Sequence, residues 1–424
     1  MVEVNRPNNE NLYTEWQTVK LGDVLKVQGG YAFKSKDSTL TGIRWLKIAN
    51  VGMGKVLWED ISYLPSNYKN DFDNYVLIPN DIIMAMTRPV LSGNTKVAKV
   101  GIDDSPSLLN QRVCRFQFSN RLESEYFYHY ARTSKFSSDI ENLIFGTDPP
   151  NISSTQIESI NILLPTKKEQ RKISNILSTV DDQIEQTEKL VVKTNELKKG
   201  LMQILLTKGI DHNEFKNSEI GNIPFDWEVK RIEEVCDVKG GKRLPKGYKL
   251  LDQNNGFPYI RVADMDNMGS ISLKDIKYVP EEIVQKIVNY RISKDDLYIS
   301  VAGTLGIVGK VPDELDGANL TENADKLTNI KCNKDFLLYV LKSSIIQKNI
   351  DNEKTLSAQP KLALTRIKNF LIPIPSIDEQ ERIANILQSV EQQIEQYGKK
   401  HKKLVQLKKG LMQKLLTGKI RVNV

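Results

Sequence analysis

The chain has 424 residues, 40% of them hydrophobic and 27% charged, an ordinary composition for a folded globular protein of about two to four domains. Nothing approaches the roughly 18 consecutive apolar residues of a membrane-spanning helix, and the first residues, MVEVNRPNNENLY, have no apolar segment typical of a signal peptide. The three cysteines, Cys114, Cys236 and Cys332, are too scattered for a disulfide framework, so we expect a reducing compartment, the cytoplasm. A net charge of +7 is compatible with a nucleic-acid partner but does not require one.

The first predicted elements are short strands. Alternating β-branched and aromatic residues, bounded by Gly, Asn and Pro, predict strands within WQTVKLGDVLKVQGG (16–30), WLKIAN (45–50), ISYLP (61–65) and VLIPNDIIMAM (76–86). The segment SEYFYHYARTSKF (124–136) predicts a short helix near the end of this module. We therefore expect a mixed α+β module.

A long helix follows the first module. Thr166 and Glu169 have the spacing of a capping box, in which a hydroxyl and a carboxylate accept from the amides of the first turn. Pro165 stands just before this cap, and Gly209 is a plausible stop. The interval of about 40 residues would give roughly 60 Å of helix at ~1.5 Å per residue.

The second module repeats the pattern of the first more weakly. Strands are predicted within WEVKRIEEVCDVKGG (227–241), YIRVAD (259–264), IKYVP (276–280) and DDLYISVAG (295–303), and a helix within KDFLLYVLKSSII (334–346). The segment GTLGIVGKV (303–311) resembles a phosphate-binding loop, but Thr304 stands where that motif has glycine and Val311 where it has Ser or Thr. A tight loop or β-hairpin is the better interpretation.

A second long helix closes the chain and nearly copies the first. Residues 169–210 and 379–420 align without a gap and are identical at 24 of 42 positions. The copies share a cap, here Ser376 with Glu379 after Pro375, and Gly418 is the plausible stop. The segments LKKGLMQILLT (197–207) and LKKGLMQKLLT (407–417) differ at a single position.

Apolar residues in both helices follow heptads, as in an imperfect coiled coil. The two helices could pack on separate domains, but their matching heptad columns favour packing on each other, antiparallel and with pseudo-twofold symmetry. Gly200 and Gly410 lie inside the repeated block, where glycine marks either a tolerated kink or early helix end, or the close approach of another backbone, such as that of a partner. The residues predicted to pack between the helices or against a partner are Ile173, Val180, Leu197, Gly200, Leu201, Ile383, Val390, Leu407, Gly410 and Leu411.

Searches for catalytic chemistry find no complete motif. The three histidines, His129, His212 and His401, are distant from one another in sequence, and no C-x-x-C occurs, so no metal site is expected. The segment DPPN (148–151) resembles an amino-methyltransferase tetrad, but its last residue is Asn151 instead of an aromatic. We predict no catalytic residue.

Basic residues beside turns are the remaining candidate site. Lys and Arg contact DNA phosphates, and Arg, Lys, Asn and Gln read base edges, although each such residue can equally be an ordinary solvated charge. The densest cluster is GGKRLPKGYK (240–249), which follows a glycine pair equivalent to residues 29–30. The candidate DNA-binding residues are Lys34, Lys36, Arg44, Lys47, Arg88, Lys242, Arg243, Lys246, Lys249 and Arg261.

The order of two unlike modules and two nearly identical helices resembles the DNA specificity subunit of type I restriction–modification systems. The resemblance covers nearly the whole chain and is carried by the helix starts LPTKKEQRKISNIL (164–177) and IPSIDEQERIANIL (374–387), by the module starts at Trp16 and Trp227, and by the LKKGLMQ segments. It implies an α+β fold, with mixed α/β target recognition domains at residues 1–165 and 211–375, each followed by a spacer helix, at 166–210 and 376–424.

The resemblance also implies a function. Each recognition domain would read one half of a bipartite, asymmetric target in double-stranded DNA, and the helices would set the spacer between the halves. The chain itself would have no activity and bind no cofactor. It would recruit two modification subunits, which methylate adenine with S-adenosylmethionine, and restriction subunits that use ATP and Mg²⁺; no membrane partner is expected. The alternatives are a helical scaffold without a DNA role and a stand-alone DNA-modifying enzyme, and the latter lacks the motifs it would need.

Overall fold

The computed structural model describes residues 16–144, 146, 149–354 and 361–423. The predicted absence of a signal peptide, and Asp148 of the DPPN segment, lie outside these residues. The chain forms two compact units, the first made of Met1–Glu188 with Lys399–Val424 and the second of Lys189–Gly398. Each unit contains one module and parts of both long helices. Within the described ranges, no helix has the length and apolarity needed to cross a membrane.

The module of the first unit is built on two mixed sheets. The larger has the strand order β2-β12-β7-β10-β4 and the smaller the order β5-β3-β11-β6, while β1 pairs with β13 and β8 with β9. The strands are β1 (Gln17–Lys20), β2 (Leu25–Gly29), β3 (Ile43–Leu46), β4 (Gly54–Lys55), β5 (Tyr63–Leu64), β6 (Val76–Leu77), β7 (Ile82–Ala85), β8 (Val90–Leu91), β9 (Asn94–Thr95), β10 (Val97–Lys99), β11 (Ser107–Leu109), β12 (Val113–Phe118) and β13 (Asn161–Leu164). The helices are α1 (Tyr68–Asp71), α2 (Ser124–Tyr130), α3 (Ser134–Ile144), α4 (Ser154–Glu158) and the long α5 (Lys167–Leu205).

The module of the second unit repeats this plan. Its sheets have the orders β17-β24-β21-β22 and β19-β18-β23-β20, and β16 pairs with β25 as β1 does with β13. The strands are β14 (Phe215–Ser218), β15 (Gly221–Pro224), β16 (Glu228–Arg231), β17 (Asp237–Gly240), β18 (Pro258–Ile260), β19 (Lys277–Tyr278), β20 (Arg291–Ile292), β21 (Leu297–Ser300), β22 (Val308–Lys310), β23 (Ala318–Leu320), β24 (Ala324–Thr328) and β25 (Leu371–Ile374). The helices are α6 (Ile232–Val235), α7 (Lys334–Lys342), α8 (Ser344–Lys354), α9 (Leu364–Asn369) and the long α10 (Ile377–Leu415). The segment that resembles a phosphate loop lies in the β21–β22 hairpin.

The two long helices have the length and the starts that the sequence predicts, with 39 residues in each. At the start of α5 the capping box is reciprocal: the Thr166 amide donates to the Glu169 carboxylate (3.2 Å) and the Glu169 amide to the Thr166 hydroxyl (3.4 Å). At the start of α10 the Glu379 amide donates to the Ser376 hydroxyl (3.3 Å). Because these contacts satisfy amides that no helical carbonyl reaches, they fix where each helix begins.

In each unit the two helix segments run antiparallel. In the first unit Ile173 and Leu177 share a core cluster with Leu415 and Leu416, while further along α5 Asp181 pairs with Lys408. In the second unit Leu206 shares a cluster with Ile383, and Lys198 pairs with Glu391. Residues further along α5 thus contact residues nearer the start of α10, which defines an antiparallel arrangement. The ion pair of one unit corresponds to that of the other at residue numbers that differ by 210. The predicted fold class, a mixed α/β domain followed by a long helix in antiparallel packing, is confirmed.

The heptad positions form two columns along each long helix. One column is buried, and the other contains exposed leucines. The buried column includes Ile173, Val180, Ile383 and Val390, none of them more than 8% exposed, with Leu201 and Leu411 half-buried. Leu197 and Leu407, which belong to the other column, are 53% and 51% exposed. The first column thus accounts for the packing inside each unit, and packing of the second against a partner stays a prediction.

Gly200 and Gly410 do not end their helices, which continue to Leu205 and Leu415. A Cβ atom built on either glycine has no described atom within 4 Å. Close approach of another backbone of the described chain is therefore not the reason for glycine at these two positions. A tolerated glycine and a contact with a partner remain the two explanations, and the predicted domain borders at 165/166, 210/211 and 375/376 also stay predictions.

Candidate nucleic-acid interface

A tight crossing of the backbone follows the first long strand of each module. The Gly30 amide donates to the Val113 carbonyl and the Gly241 amide to the Ala324 carbonyl, both at 3.0 Å. A Cβ atom at Gly30 would lie 2.2 Å from the Asn110 carbonyl oxygen, and no side chain tolerates such a contact. The glycines therefore allow β2 and β17 to lead into exposed loops that are held against the neighbouring strand ends.

The same contact exists in the second module, where a Cβ atom at Gly241 would lie 1.9 Å from the Thr321 carbonyl oxygen. The predicted cluster 240–249 begins at this crossing, and Lys242, Lys246 and Lys249 are all exposed in its loop. Arg243 is exposed as well, although its guanidinium donates to the Glu322 carboxylate at 2.6 Å. This hydrogen bond raises the pKa of Arg243. It also holds the pKa of Glu322 below its usual value, although burial acts in the opposite direction.

Arg261 is part of the fold. Its guanidinium donates twice to the Asp264 carboxylate, at 3.0 and 2.5 Å, and once to the Asp275 carbonyl. The hydrogen bonds to Asp264, which is 4% exposed, are the main reason that the pKa of Arg261 is raised. Removing Arg261 would leave a buried carboxylate without its main partner, so any effect of such a change on DNA binding would be mixed with a loss of stability.

In the first module the predicted basic residues fall into two groups. Lys34, Lys36 and Arg88 are exposed. Arg44 donates to the Asp103 carbonyl and lies 4.8 Å from the centre of the Trp58 ring, and Lys47 donates to Ser62 (2.8 Å) and lies over the Trp45 ring. The structure thus brings Lys34 and Lys36 together on the loop after Gly30, and it places Arg44 and Lys47 in contacts of the fold. The DNA-binding role of all ten residues stays a prediction.

Sequence reasoning identified Glu169 and Glu379 as helix-capping residues but missed that each one joins a module to a long helix. In the first unit Glu169, which is 2% exposed, accepts from the Trp16 indole (3.3 Å) and from the Arg421 guanidinium (2.6 Å). In the second unit Glu379 accepts from the Trp227 indole (2.9 Å) and contacts His212 (2.9 Å). Glu169 and Glu379 are equivalent residues of the repeat, so a search for the indole partner of a repeated tryptophan could have found both.

A second junction lies further along the helices. In the first unit Asp181 contacts Lys408, Arg132 (3.3 Å) and the buried His129 (3.8 Å). Burial lowers the pKa of His129 to about 3 and that of Lys408 to about 8. In the second unit the equivalent acid, Glu391, contacts Lys198 and the Tyr339 hydroxyl (2.8 Å), so an imidazole in one unit is replaced by a phenol in the other.

The second unit contains a buried acid for which the first unit has no equivalent. Asp325 on β24 is 5% exposed, and its Oδ2 atom has no hydrogen-bond partner among the residues that the structure describes. Burial raises the pKa of this carboxyl to about 6, although Lys361 acts in the opposite direction. The residue at the equivalent place on β12 is the buried Cys114, whose thiol has its pKa raised to about 12 by burial. Across the part of the chain that the structure describes, no group of three His, Cys, Asp or Glu side chains could hold a metal ion.

Two stretches of the chain match the sequence model of a known family. Residues 13–194 and 224–405 each match the type I restriction modification DNA specificity domain, so the chain belongs to this family. It is the subunit of a type I restriction–modification system that selects the DNA target, and it has no catalytic role of its own.

Individual relatives agree with the family. The chain is 28% identical to the type I restriction enzyme MjaVIII specificity subunit of Methanocaldococcus jannaschii, over 96% of this chain and 93% of that protein. It is 23% identical to the EcoBI specificity subunit of Escherichia coli, over 90% of this chain and 81% of that one. The crystal structure of the type I restriction–modification S subunit from M. genitalium superposes with a TM-score of 0.59 at 19% identity, covering 98% and 99% of the two chains, and supports the fold.

Proposed function

We propose that this chain reads a bipartite, asymmetric DNA target with one half-site per recognition domain, and that it recruits two modification subunits through two equivalent helical segments. The segments are Leu197–Thr207, which begins in α5, and Leu407–Thr417, which begins in α10, and we call them the docking segments. The observation that carries the proposal is that these segments agree at all but one position and that both leave their first leucine, Leu197 or Leu407, exposed, whereas the loops of the two modules differ.

The sequence of the docking segments lowers the stability of the isolated chain. A glycine in a helix interior is about 1 kcal/mol less favourable than alanine, and a leucine that is half exposed buries only part of its apolar surface. Gly200 and Gly410 stand three residues after Leu197 and Leu407, so glycine and leucine lie on neighbouring parts of one helix face. No described residue of the chain explains either residue, whereas a partner helix that packs closely on this face would explain both.

Two nearly identical segments offer two nearly identical surfaces, so they favour two copies of one partner. The difference is Ile204 in one segment against Lys414 in the other, and both are exposed. The partner would be the modification subunit, which supplies the adenine methyltransferase chemistry and binds S-adenosylmethionine. Restriction subunits, with ATP and Mg²⁺, would join the same assembly.

The recognition half of the proposal follows from the modules. The smaller sheets of the two modules have the same order, and the larger sheets differ by the edge strand β4 of the first module. The loops that follow the glycine pairs differ, with Gly-Gly-Tyr-Ala-Phe in the first module and Gly-Gly-Lys-Arg-Leu in the second. Unlike exposed side chains contact unlike base edges, so the two half-sites are expected to differ in sequence.

The docking segments are tested by native mass spectrometry of the chain purified with its cognate modification subunit. The wild-type chain should carry two copies of that subunit. Gly200→Trp and Gly410→Trp should each reduce the number to one, and the double variant to none, because an indole occupies the place where the partner packs. The affinity of the isolated chain for DNA should stay within about two-fold of wild type.

The matched controls are Lys199→Trp and Lys409→Trp. These exposed lysines belong to the same LKKG sequence, but their side chains are turned by about 100° around the helix axis. Both control variants should keep two modification subunits. A Gly200→Trp, Gly410→Trp double variant that still binds two copies would place the docking surface elsewhere.

A further inference from the structure

One exposed position is equivalent in the two modules but has a different type of side chain in each. Directly after the tight crossing at Gly30, the Tyr31 amide donates to the Leu109 carbonyl (3.0 Å). Directly after the crossing at Gly241, the Lys242 amide donates to the Leu320 carbonyl (2.8 Å). Because Leu109 ends β11 and Leu320 ends β23, the two residues occupy the same place relative to their sheets.

The side chain of Tyr31 is supported from within the module. Its ring centre lies 4.6 Å from that of Phe72, 4.9 Å from that of Phe33 and 5.4 Å from that of Tyr75, and yet 39% of the residue is exposed. A tyrosine has only two side-chain torsions, and three neighbouring rings restrict them further. Tyr31 is therefore a preorganised aromatic surface that faces solvent.

The side chain of Lys242 has the equivalent support. Its ammonium group lies 5.5 Å from the centre of the Tyr290 ring. Tyr290 corresponds to Tyr75, because the residue after each one pairs with the equivalent strand, Val76 with β11 and Arg291 with β23. The same supporting tyrosine thus holds an aromatic ring in the first module and a cation in the second.

The charge around both positions fits DNA. Lys34 and Lys36 follow Tyr31 within five residues, and the loop of Lys242 contains four basic and no acidic residues from 240 to 249. Lys286 lies over the Tyr248 ring of the same loop (5.7 Å) and adds a further positive charge. Exposed aromatic rings among lysines suit duplex DNA, because a ring makes apolar contacts with base edges in a groove and lysines neutralise phosphates.

We propose that Tyr31 and Lys242 contact DNA from equivalent positions in the two half-sites, and that Tyr31 determines specificity in its half-site. Tyr31 contacts a base through its ring. Lys242 donates to acceptor atoms, which are either the oxygens of a backbone phosphate or the O6 and N7 atoms of a guanine. The inference rests on the proposed function, because it assigns one half-site to each recognition domain.

The test uses the full chain with its modification subunits and duplexes that carry the target, with single base pairs changed in one half at a time. Tyr31→Leu should weaken binding about ten-fold or more and relax discrimination in one half-site, without changing the salt dependence. Tyr31→Phe keeps the ring and should bind like wild type. Discrimination in the other half-site should be retained by both variants, which separates a lost contact from a misfolded chain.

Lys242→Met is the complementary variant, and it should leave discrimination in the half-site of Tyr31 unchanged. If Lys242 contacts a phosphate, all duplexes should weaken equally and the slope of log K against log salt should become shallower by about 0.9. If it contacts a guanine, discrimination at one G·C pair should be lost. Either result supports the proposal. Wild-type affinity and discrimination in both Tyr31→Leu and Lys242→Met would overturn it, whereas a symmetric wild-type target would contradict the bipartite function itself.

Discussion

In the first unit the carboxylate that begins α5, Glu169, is held by the Trp16 indole and by Arg421. In the second unit the carboxylate that begins α10, Glu379, is held by the Trp227 indole and by His212. The acid and the tryptophan are retained, while the other side chain that contacts the acid changes from Arg421 to His212 and comes from a different position relative to the repeat. What both units need at this junction is compensation of a buried carboxylate, and more than one side chain can provide it.

The second junction shows the same kind of exchange. Asp181 and Glu391 are both acids, and both pair with the lysine of an LKKG sequence, Lys408 or Lys198. The side chain that each module contributes differs, with His129 in the first and Tyr339 in the second. The helical frame is thus conserved inside the molecule, whereas the modules changed their buried polar groups as well as their loops. The exchange predicts that the two units respond differently to pH.

The largest effect is expected at Asp325. Its pKa is raised by burial from 3.8 to about 6, so the folded second unit binds a proton more tightly than the unfolded chain does. Its stability is therefore greatest below about pH 4 and falls as the pH rises through 6, by up to roughly 3 kcal/mol. Asp325→Asn, which imitates the protonated form, should stabilise the second unit by about that amount at pH 7.5 and by little at pH 4. Amide hydrogen exchange in β21 and β24 measures this change.

Asp296→Asn is the matched control for this prediction. Asp296 is also buried, at 6% exposure, but its carboxylate accepts from the Ser293 amide (2.9 Å). Loss of this bond should not stabilise the unit at any pH. An Asp325→Asn variant without added protection at pH 7.5 would contradict the pH response assigned to the second unit.

The opposite response is expected in the first unit. Burial lowers the pKa of His129 from 6.5 to about 3, with Lys408 acting in the same direction and Asp181 against it. The unfolded chain therefore binds a proton below pH 6.5 that the folded unit does not, and stability is lost as the pH falls. Between pH 7 and pH 5 the first unit should lose about 2 kcal/mol. Hydrogen exchange in α2 and α3 at the two pH values measures the loss.

His129→Gln should remove most of this acid sensitivity, and His401→Gln, a variant in α10 that leaves His129 intact, should preserve it. The second unit has Tyr339 at the equivalent position and should not lose stability from this source. An equal loss in both units between pH 7 and pH 5 would show that the difference between imidazole and phenol does not control the pH response.

The smallest effect concerns the helices, where the two copies should behave alike. A Cβ atom at Gly200 or Gly410 enters open space, so Gly200→Ala and Gly410→Ala should each raise the free energy of unfolding by about 0.5–1 kcal/mol. Denaturant unfolding of the isolated chain measures the gain. A loss of stability in one variant and a gain in the other would mean that the two glycines do not have equivalent surroundings.

The two long helices were predicted well from the sequence, because capping and heptad spacing depend on nearby residues and occur in both copies of the repeat. The capping box at Thr166, the hydroxyl cap at Ser376, the helix lengths and the buried heptad column follow from residue spacing alone. The exposure of Leu197 and Leu407 could not be predicted, since leucines of the second heptad column have the same spacing whether or not another surface covers them.

The candidate site was predicted less completely. A basic residue beside a turn is the same in sequence whether it faces solvent, as Lys242 does, or is held by an acid, as Arg261 is by Asp264. Tyr31 was missed because it carries no charge, and its exposure becomes visible only when β2, β11 and the aromatic cluster are assembled. Asp325 was missed because its burial depends on strand pairing across the module.

The most direct test of the claim that each module recognises a different half-site is a methylation map. The chain is expressed with its cognate modification subunit, and N6-methyladenine is located across a host genome by single-molecule sequencing. The account predicts a split motif with two unlike halves that disappears when this chain is omitted and loses its definition in one half only in the Tyr31→Leu variant. A palindromic motif, or a motif that persists without the chain, would contradict it.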